Sequence, residues 1–368
     1  MVHGTDVFVI GGGPAGLAAA IAAREKGFSV MVADGAHPPI DKACGEGLLP
    51  DTLAALRELG VAVNGPEGHA VLGVRFLGRE SEAAASFPAG NGIGIRRPVL
   101  HQRLVERADD CGVSFLWNTP VVGICDAGVR LAAGIVPAKW IVGADGIGSR
   151  VRKWAGLDIR VRRDCRLAVR RHYRMAPWTE FMEIYWGDGA QVYVTPVDKD
   201  EVCVVLISRD RARNFDSLAF EFPKLASRLE SAKLSSTERG AITGMQKLDG
   251  VYRKRVALIG DASGSVDAIT GEGLSLGFRQ AMALADALEA GDLSRYQAAH
   301  RRLARRPAMM GRLMLLLDDR AWLRERTIRA LASGSEVFSR LLAAHVGANS
   351  QAHLVASGAM LGWHLVSA

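Results

Sequence analysis

Apolar and polar positions along the chain change between strand-like and helical spacing in an order typical of mixed α/β proteins. Short apolar runs at 7–10 and 28–33 enclose an alanine-rich helix. Leu100, Leu104 and Ala108 recur every four residues and predict a helix over 98–112. Strand-like runs follow at 121–125, 129–131, 140–142, 181–186, 191–195 and 201–208. From Leu293 onward the pattern is helical, and Pro307 predicts a break or a new helix start.

The first two apolar runs frame a glycine-rich turn whose spacing has a chemical explanation. Gly11 permits a tight turn, Gly13 lets the backbone approach a pyrophosphate, and Gly16 lets helix and strand pack closely. The helix N-terminus offers unpaired N–H groups to phosphates, and Asp34 can accept hydrogen bonds from a ribose diol. We therefore predict a dinucleotide site, although this turn alone does not distinguish NAD from FAD.

Two later segments distinguish the two cofactors. Residues 139–152, KWIVGADGIGSRVR, place a strand before Asp145, and residues 256–278 place a strand before Asp261 and a Gly-Glu-Gly turn at 271–273. Together with the N-terminal turn, these motifs resemble the glutathione-reductase-like FAD superfamily, in its aromatic-hydroxylase and geranylgeranyl-reductase branch. The resemblance covers roughly residues 5–290 and implies an FAD-dependent oxidoreductase.

The same resemblance implies an α/β fold with interleaved domains. A Rossmann-like FAD-binding domain with a parallel sheet is expected from residues 1–75, 95–160 and 250–292. An antiparallel-sheet substrate domain is expected from residues 76–94 and 161–249, and a helical region from residues 293–368.

By this resemblance, a set of residues from the motifs and from the loop after Asp34 is expected to bind FAD. Among them, Arg97 is expected to reach the phosphates, with helix capping as the alternative, and Asp145 is expected to cap a helix beside the cofactor. The set comprises Gly11, Gly13, Pro14, Ala15, Gly16, Asp34, Gly35, Lys42, Ala43, Cys44, Gly45, Arg97, Val122, Asp145, Asp261, Gly271, Gly273 and Leu274.

The segment DKACGEGLLP, residues 41–50, carries the one candidate catalytic side chain. It resembles the Cys-Gly element of geranylgeranyl reductases, in which a cysteine lies near the active site. Cys44 is therefore the catalytic candidate, with a buried structural thiol as the alternative. The predicted substrate pocket comprises His172, Tyr185, Tyr193 and Pro196 from the antiparallel sheet. The aromatic-rich YxWxFP stretch of the reductases survives only as Tyr193 and Pro196.

The composition is that of a globular enzyme and favours a reducing compartment. Hydrophobic residues make up 49% and charged residues 23%, as in ordinary globular enzymes. The five cysteines form no C-x-x-C pair, so we expect a reducing, cytoplasmic location and no metal site. We expect neither a signal peptide nor a membrane-spanning segment.

The net charge of the chain is +7, and arginine is concentrated at 160–174 and 301–306. No nucleic-acid-binding module accompanies them, so we do not expect nucleic acid as a partner. A solvated surface is one interpretation of these stretches. Attraction of NAD(P)H, a carrier protein or a membrane surface is the other. The apolar segment 309–317 also has two interpretations. It packs against the rest of the protein, or it forms a lipophilic channel or membrane contact.

The principal functional hypothesis is a monooxygenase that uses NAD(P)H and O2 to hydroxylate an aromatic or conjugated apolar molecule. The alternative is a geranylgeranyl-reductase-like enzyme that saturates carbon–carbon double bonds of a lipid or polyketide. A third hypothesis is a flavin-binding partner protein without catalysis of its own.

Overall fold

The computed structural model describes residues 4–63, 65–88, 90–157 and 164–347. The predicted domain boundary at 160–161 and the last part of the predicted C-terminal helical region lie outside the described residues. Within the described part, the predicted mixed α/β fold is confirmed. No helix in that part is both long enough and apolar enough to cross a membrane.

The helices pack around the N-terminal sheet and on both faces of the second sheet. Their bounds are α1 Pro14–Glu25, α2 Pro50–Glu58, α3 Arg97–Asp110, α4 Arg150–Trp154, α5 Leu218–Glu221, α6 Pro223–Leu229, α7 Gly273–Glu289, α8 Leu293–Asp319, α9 Ala321–Ser333 and α10 Ser335–His345.

The strands form three sheets. Their bounds are β1 Thr5–Ile10, β2 Val30–Ala33, β3 Gly47–Leu48, β4 His69–Val71, β5 Gly73–Leu77, β6 Glu82–Ser86, β7 Gly92–Gly94, β8 Ser114–Leu116, β9 Val121–Cys125, β10 Gly128–Leu131, β11 Gly134–Gly143, β12 Asp164–Arg174, β13 Phe181–Trp186, β14 Ala190–Asp198, β15 Glu201–Ser208, β16 Lys233–Leu234, β17 Arg239–Met245, β18 Tyr252–Arg253 and β19 Val256–Leu258.

The first sheet has the order β18-β19-β11-β1-β2-β8, and the β9–β10 hairpin is attached to β11. Strands β19, β11, β1, β2 and β8 are parallel, as the βαβ prediction requires. Helices α1, α3 and α7 pack together over one face of this sheet. Because the carboxyl ends of parallel strands share one edge, this order brings the three glycine motifs together.

The second sheet has the order β16-β12-β15-β14-β13-β5-β6, with β17 also paired to β12. It is antiparallel except where β13 runs parallel to β5. One face packs against α5 and α6, and the opposite face packs against α8, α9 and α10. Since β5 begins at Gly73, this sheet starts slightly before the predicted residue 76.

Helix α8 corrects the prediction of a break at Pro307. The helix continues through this residue, which is buried together with Gly311 and Met314. A proline inside a helix removes one backbone hydrogen bond. Here the helix is held by packing against α7 and against the turn at 268–270, so tertiary contacts override the local preference.

Candidate active site

A single cavity of about 690 Å³ connects the glycine-rich turn with the substrate sheet and the C-terminal helices. Its nucleotide end is lined by Gly11, Gly13 and Asp34, and its opposite end by side chains of β12–β15 and α8–α10. The Cys44 loop and the turn at 271–273 lie on the wall between these ends. The fold thus places a nucleotide site and an apolar chamber in one continuous space.

The nucleotide end is held in shape by the acid at the end of β2. Asp34 accepts hydrogen bonds from the backbone N–H groups of Gly12 at 2.7 Å and Ala36 at 2.8 Å. At Gly16, an added Cβ would lie 1.9 Å from the carbonyl oxygen of Gly11. This contact is the close helix–strand packing that the spacing predicts, and it explains why Gly16 itself does not line the cavity.

Several features of this wall fit a bound FAD. A Cβ added at Gly13, Gly45 or Gly273 would meet no atom of the described residues within 4 Å, so the backbone at these positions is open to a ligand. Arg97 lines the cavity, and within the described part of the chain its buried Nε has no hydrogen-bond partner. A phosphate oxygen would satisfy such a donor. The N-terminus of α7 also faces the cavity and favours negative charge.

The carboxyl groups of the other two motifs have different surroundings. Asp145 accepts hydrogen bonds from Ser149 Oγ and from the N–H groups of Arg150 and Val151, so it caps α4 as predicted. Asp261 is accessible through the cavity, yet dense protein surrounds it on the other sides. This burial raises the pKa of the Asp261 carboxyl, against the opposing effect of Lys42.

Val122 is predicted to bind the cofactor, but it does not line the cavity. Its side chain is 48% exposed. Pro120 and Val121 line the cavity instead. Side chains on a strand alternate between its two faces, so a shift of one residue along β9 reverses the direction of the side chain. The other predicted cofactor-binding residues, apart from Gly16, line the cavity.

The loop that carries Cys44 is fixed by a buried arginine that the sequence analysis did not single out. Arg170 on β12 donates to both carboxylate oxygens of Asp41, at 2.8 and 2.9 Å, and to Glu46 Oε1 at 3.1 Å. It also lies 3.4 Å from the carbonyl oxygen of Lys42. One guanidinium therefore holds both ends of the loop, with Cys44 between them on the cavity wall.

Buried groups behind this loop form a hydrogen-bonded cluster. Glu46, His172 and Cys203 bring three atoms of metal-ligand type within 4.8 Å of one another. The Glu46 carboxylate already has Arg170 and the backbone N–H of Arg97 as partners, and His172 Nε2 lies 2.7 Å from Glu46 Oε2. Burial raises the pKa of the Cys203 thiol, which opposes thiolate ligation. We interpret the cluster as support for the loop.

Two of the four predicted substrate-pocket residues, His172 and Pro196, pack behind the cavity wall. His172 is buried between Glu46 and Ser236, whose Oγ lies 2.6 Å from His172 Nδ1. Pro196 packs so closely on β7 that its carbonyl oxygen would lie 1.7 Å from a Cβ added at Gly94. Neither residue lines the cavity.

The two predicted tyrosines lie on opposite faces of the substrate sheet. Tyr193 lines the cavity beside Met182 and Ile184. Tyr185 instead packs on the other face against α5 and α6, where its hydroxyl donates to Glu183 at 2.7 Å. The alternation of side chains along β13 and β14 separates them. Only Tyr193 of the predicted pocket residues therefore reaches the cavity.

The chamber beyond Tyr193 has mostly apolar walls. The apolar segment 309–317 of α8 contributes to these walls, which favours its interpretation as a lipophilic channel. The principal lining side chains are Ala168, Met182, Ile184, Val205 and Ile207 from the sheet and Met310, Leu313, Met314, Leu317, Leu331 and Phe338 from the helices. Such walls accept an extended apolar ligand and offer few polar anchors.

A buried ion-pair network joins the cavity wall to α8. Arg166 pairs with Asp267, at the cavity wall, and lies 3.4 Å from Asp318 Oδ2 on α8. All three side chains are fully buried. Tyr193 donates to the carbonyl oxygen of Ile269 at 3.2 Å, and burial raises the pKa of its phenol. The network fixes the position of α8 relative to the substrate sheet.

His300 on α8 lies behind the Gly260–Ser263 turn and gives a testable pH dependence. Burial, with a smaller contribution from the charge of Arg301, lowers the pKa of this imidazole from 6.5 to about 4. The neutral ring therefore contributes stability that is present above about pH 6.5 and is lost as the pH falls through about 4. Between pH 6.5 and pH 4 we expect the unfolding free energy of the wild type to fall by on the order of 2–3 kcal/mol more than that of His300→Gln, because glutamine does not titrate.

The measurement is chemical denaturation at a series of pH values. His37→Gln, at an exposed position, is the matched control and should follow the wild-type curve. Parallel curves for the wild type and His300→Gln between pH 6.5 and 4 would contradict this assignment.

Comparisons with known proteins agree with this geometry. The family model described as "FAD binding domain" matches residues 4–303. A menaquinone reductase of Mycobacterium tuberculosis is 28% identical over 318 residues, which cover 79% of this chain and 78% of that protein. A putative 2-heptyl-3-hydroxy-4(1H)-quinolone synthase of Rhodococcus erythropolis is 32% identical over 306 residues, covering 76% and 78%.

Among solved structures, a geranylgeranyl bacteriochlorophyll reductase-like protein of Thermoplasma acidophilum has a similar fold. Its TM-score is 0.76 at 20% identity, and the match covers 100% of this chain and 98% of that one.

Proposed function

The chain belongs to the FAD-binding-domain family and is an FAD-dependent oxidoreductase, and from this premise we propose that it reduces a carbon–carbon double bond in an apolar chain attached to a ring. The observation that carries the proposal is the mostly apolar chamber, which is continuous with the nucleotide end of the cavity. A long hydrocarbon chain can fill such a chamber. A small polar aromatic would leave most of it without contacts.

The names of two relatives support this substrate class. Menaquinone and a 2-heptylquinolone are both bicyclic ring systems that carry an apolar chain. We propose that the chain of such a substrate lies between the sheet and α8–α10. In this arrangement Cys44 and Tyr193 lie on the wall where the chamber meets the flavin site.

FAD, when bound, supplies the two reducing equivalents, and NAD(P)H is the proposed source of electrons. The protein's own residues have other tasks in the proposal. Gly13, Arg97 and the N-terminus of α7 hold the cofactor, and the chamber walls orient the substrate and exclude water. Arg170 keeps the Cys44 loop against the reacting end of the substrate, so Arg170 is a positioning residue.

We propose that the substrate enters along α8 from an apolar phase. Leu313 lines the cavity and is also 44% exposed, and Met309 and Leu316 beside it are 47% and 44% exposed. Trp322, at the start of α9, is 66% exposed. Apolar side chains beside exposed arginines such as Arg312 are typical of surfaces that contact anionic membranes.

Hydroxylation by O2 and NAD(P)H is the second candidate function. The observation in its favour is the relative named as a hydroxyquinolone synthase, which is more than 30% identical to this chain. The same chamber would hold the alkyl chain of a ring substrate, and the ring would be the site of reaction. The two candidates differ in their requirement for O2 and in the mass of the product.

Anaerobic turnover of a naphthoquinone with an isoprenoid chain separates the two candidates. We expect a product that is two hydrogen atoms heavier and keeps this gain after air has re-oxidised the ring. Cys44→Ser should slow this turnover about 10-fold or more at unchanged FAD content, because Cys44 borders the substrate. Mass spectrometry of the product and the visible flavin spectrum are the measurements.

Cys111→Ser, on the nucleotide domain away from the cavity, is the matched control and should retain full activity. A strict O2 requirement, a product one oxygen atom heavier and a fully active Cys44→Ser enzyme would reject double-bond reduction in favour of hydroxylation.

A further inference from the structure

Two buried polar atoms face each other behind the turn at 271–273 without a hydrogen bond. His345 Nδ1 on α10 lies 3.6 Å from Glu272 Oε2, and neither atom has a hydrogen-bond partner among the residues that the structure describes. The Glu272 side chain is 2% exposed and that of His345 is 13% exposed. Unsatisfied buried polar atoms are rare because each one has lost its hydrogen bonds to water without replacement, so this pair requires a physical explanation.

The other hydrogen bond of the His345 ring fixes its tautomer and shows that the contact with Glu272 lacks a proton. His345 Nε2 lies 2.9 Å from the carbonyl oxygen of Thr270. A carbonyl oxygen only accepts, so Nε2 carries a hydrogen and Nδ1 of the neutral ring presents a lone pair. An ionised Glu272 also presents only lone pairs. One added proton, on either atom, would convert this repulsive contact into a hydrogen bond.

The charged groups around Glu272 also favour protonation of the Glu272–His345 pair. The charged groups that face Glu272 are Arg306 on α8, 3.2 Å from Glu272 Oε1, and Asp51 on α2, with His345 on α10. Two carboxylates and one guanidinium leave an excess of one negative charge. Burial raises the pKa of Glu272, although His345 and Arg306 oppose this effect. The cluster therefore has a place for a positive charge.

The position of the pair links it to the cofactor site. Thr270, Gly271, Gly273 and His345 all line the cavity, and Glu272 lies within this turn. By the family resemblance, this turn meets the pyrimidine edge of the flavin, where negative charge develops on reduction. A neighbouring site that is short of one proton becomes more basic when that charge appears.

We propose that Glu272 and His345 share one proton that the protein takes up when the bound flavin is reduced. Reduction then consumes two electrons and two protons: one proton goes to the flavin, and solvent supplies the second to the Glu272–His345 pair. With NAD(P)H as the reductant, its hydride carries both electrons and the flavin's proton, so one nicotinamide C–H bond breaks as one flavin N–H bond forms, and solvent supplies only the proton of the Glu272–His345 pair. The proposal depends on FAD binding and is independent of the substrate reaction.

The test is the midpoint potential of the holoenzyme as a function of pH, measured without substrate. A two-electron couple shifts by about 30 mV per pH unit for each proton taken up. We expect a slope near 60 mV per pH unit for the wild type and near 30 mV for Glu272→Gln. The glutamine can donate an N–H to His345 Nδ1 but cannot titrate. His345→Gln, which can still donate to the Thr270 carbonyl oxygen, provides the second variant and should also give the lower slope.

Glu289→Gln, at the exposed opposite end of α7, is the matched control and should keep the wild-type slope. FAD content and the visible spectrum verify that each variant is folded and loaded. A wild-type slope near 30 mV per pH unit would overturn the proposal. A slope near 60 mV that persists in both Glu272→Gln and His345→Gln would overturn it as well, because the second proton would then reside elsewhere.

Discussion

Gly13→Val is expected to abolish FAD binding while the protein remains folded. A Cβ added at this position would meet no atom within 4 Å in the part of the chain that the structure describes, and the backbone there is extended with φ −71° and ψ 174°. Valine therefore fits the fold, but it occupies the space where the backbone must approach the pyrophosphate. We expect FAD affinity to fall on the order of 100-fold or more, equivalent to about 3 kcal/mol.

Fluorescence titration of the apoprotein with FAD measures this loss, and circular dichroism verifies the fold. Gly65→Val is the matched control and should bind FAD normally, because Gly65 is exposed and a Cβ added there would also meet no described atom within 4 Å. Gly16→Ala provides the contrast. Its Cβ would lie 1.9 Å from the Gly11 carbonyl oxygen, so this variant should lose the fold itself. Wild-type FAD affinity in Gly13→Val would show that the pyrophosphate does not lie at this turn.

Arg166→Ala is expected to destabilise the protein by about 3–5 kcal/mol. The substitution leaves Asp267 and Asp318 buried without the guanidinium that now lies between them. Removing one partner of a buried ion pair is far more costly than removing a surface pair, because the remaining charge is desolvated and uncompensated. Chemical denaturation with saturating FAD gives the unfolding free energy.

Arg209→Ala is the matched control, because Arg209 contacts the same Asp318 at 3.2 Å but is 31% exposed. Its loss should be about 1 kcal/mol or less. Equal losses in the two variants would show that burial of Arg166 does not determine the energetics of this network.

The sequence by itself predicted the FAD-binding family and much of the secondary structure, and both are confirmed. The bounds of β9, β13 and β15 agree with the runs 121–125, 181–186 and 201–208. Strand alternation and glycine spacing are local properties, and a strand–turn–helix unit with a terminal acid admits few other interpretations. The predicted roles of Gly16 in packing and of Asp145 as a helix cap followed from the same local chemistry.

Only the tertiary structure decided which side chains face the cavity. Tyr193 and Tyr185 are equivalent in the sequence, but the pleat of the sheet separates them. The sequence contains no local signal that Arg170 holds the Cys44 loop, because the contact joins segments far apart in the chain.

The chamber and the Glu272–His345 pair also depend on where α8 and α10 pack. Pro307 predicted a break in α8, yet the helix continues because its buried face has partners on α7 and on the turn at 268–270. Local spacing thus specifies the elements and the nucleotide motif. Long-range packing specifies the substrate chamber, because burial energy depends on contacts between elements that are distant in the sequence.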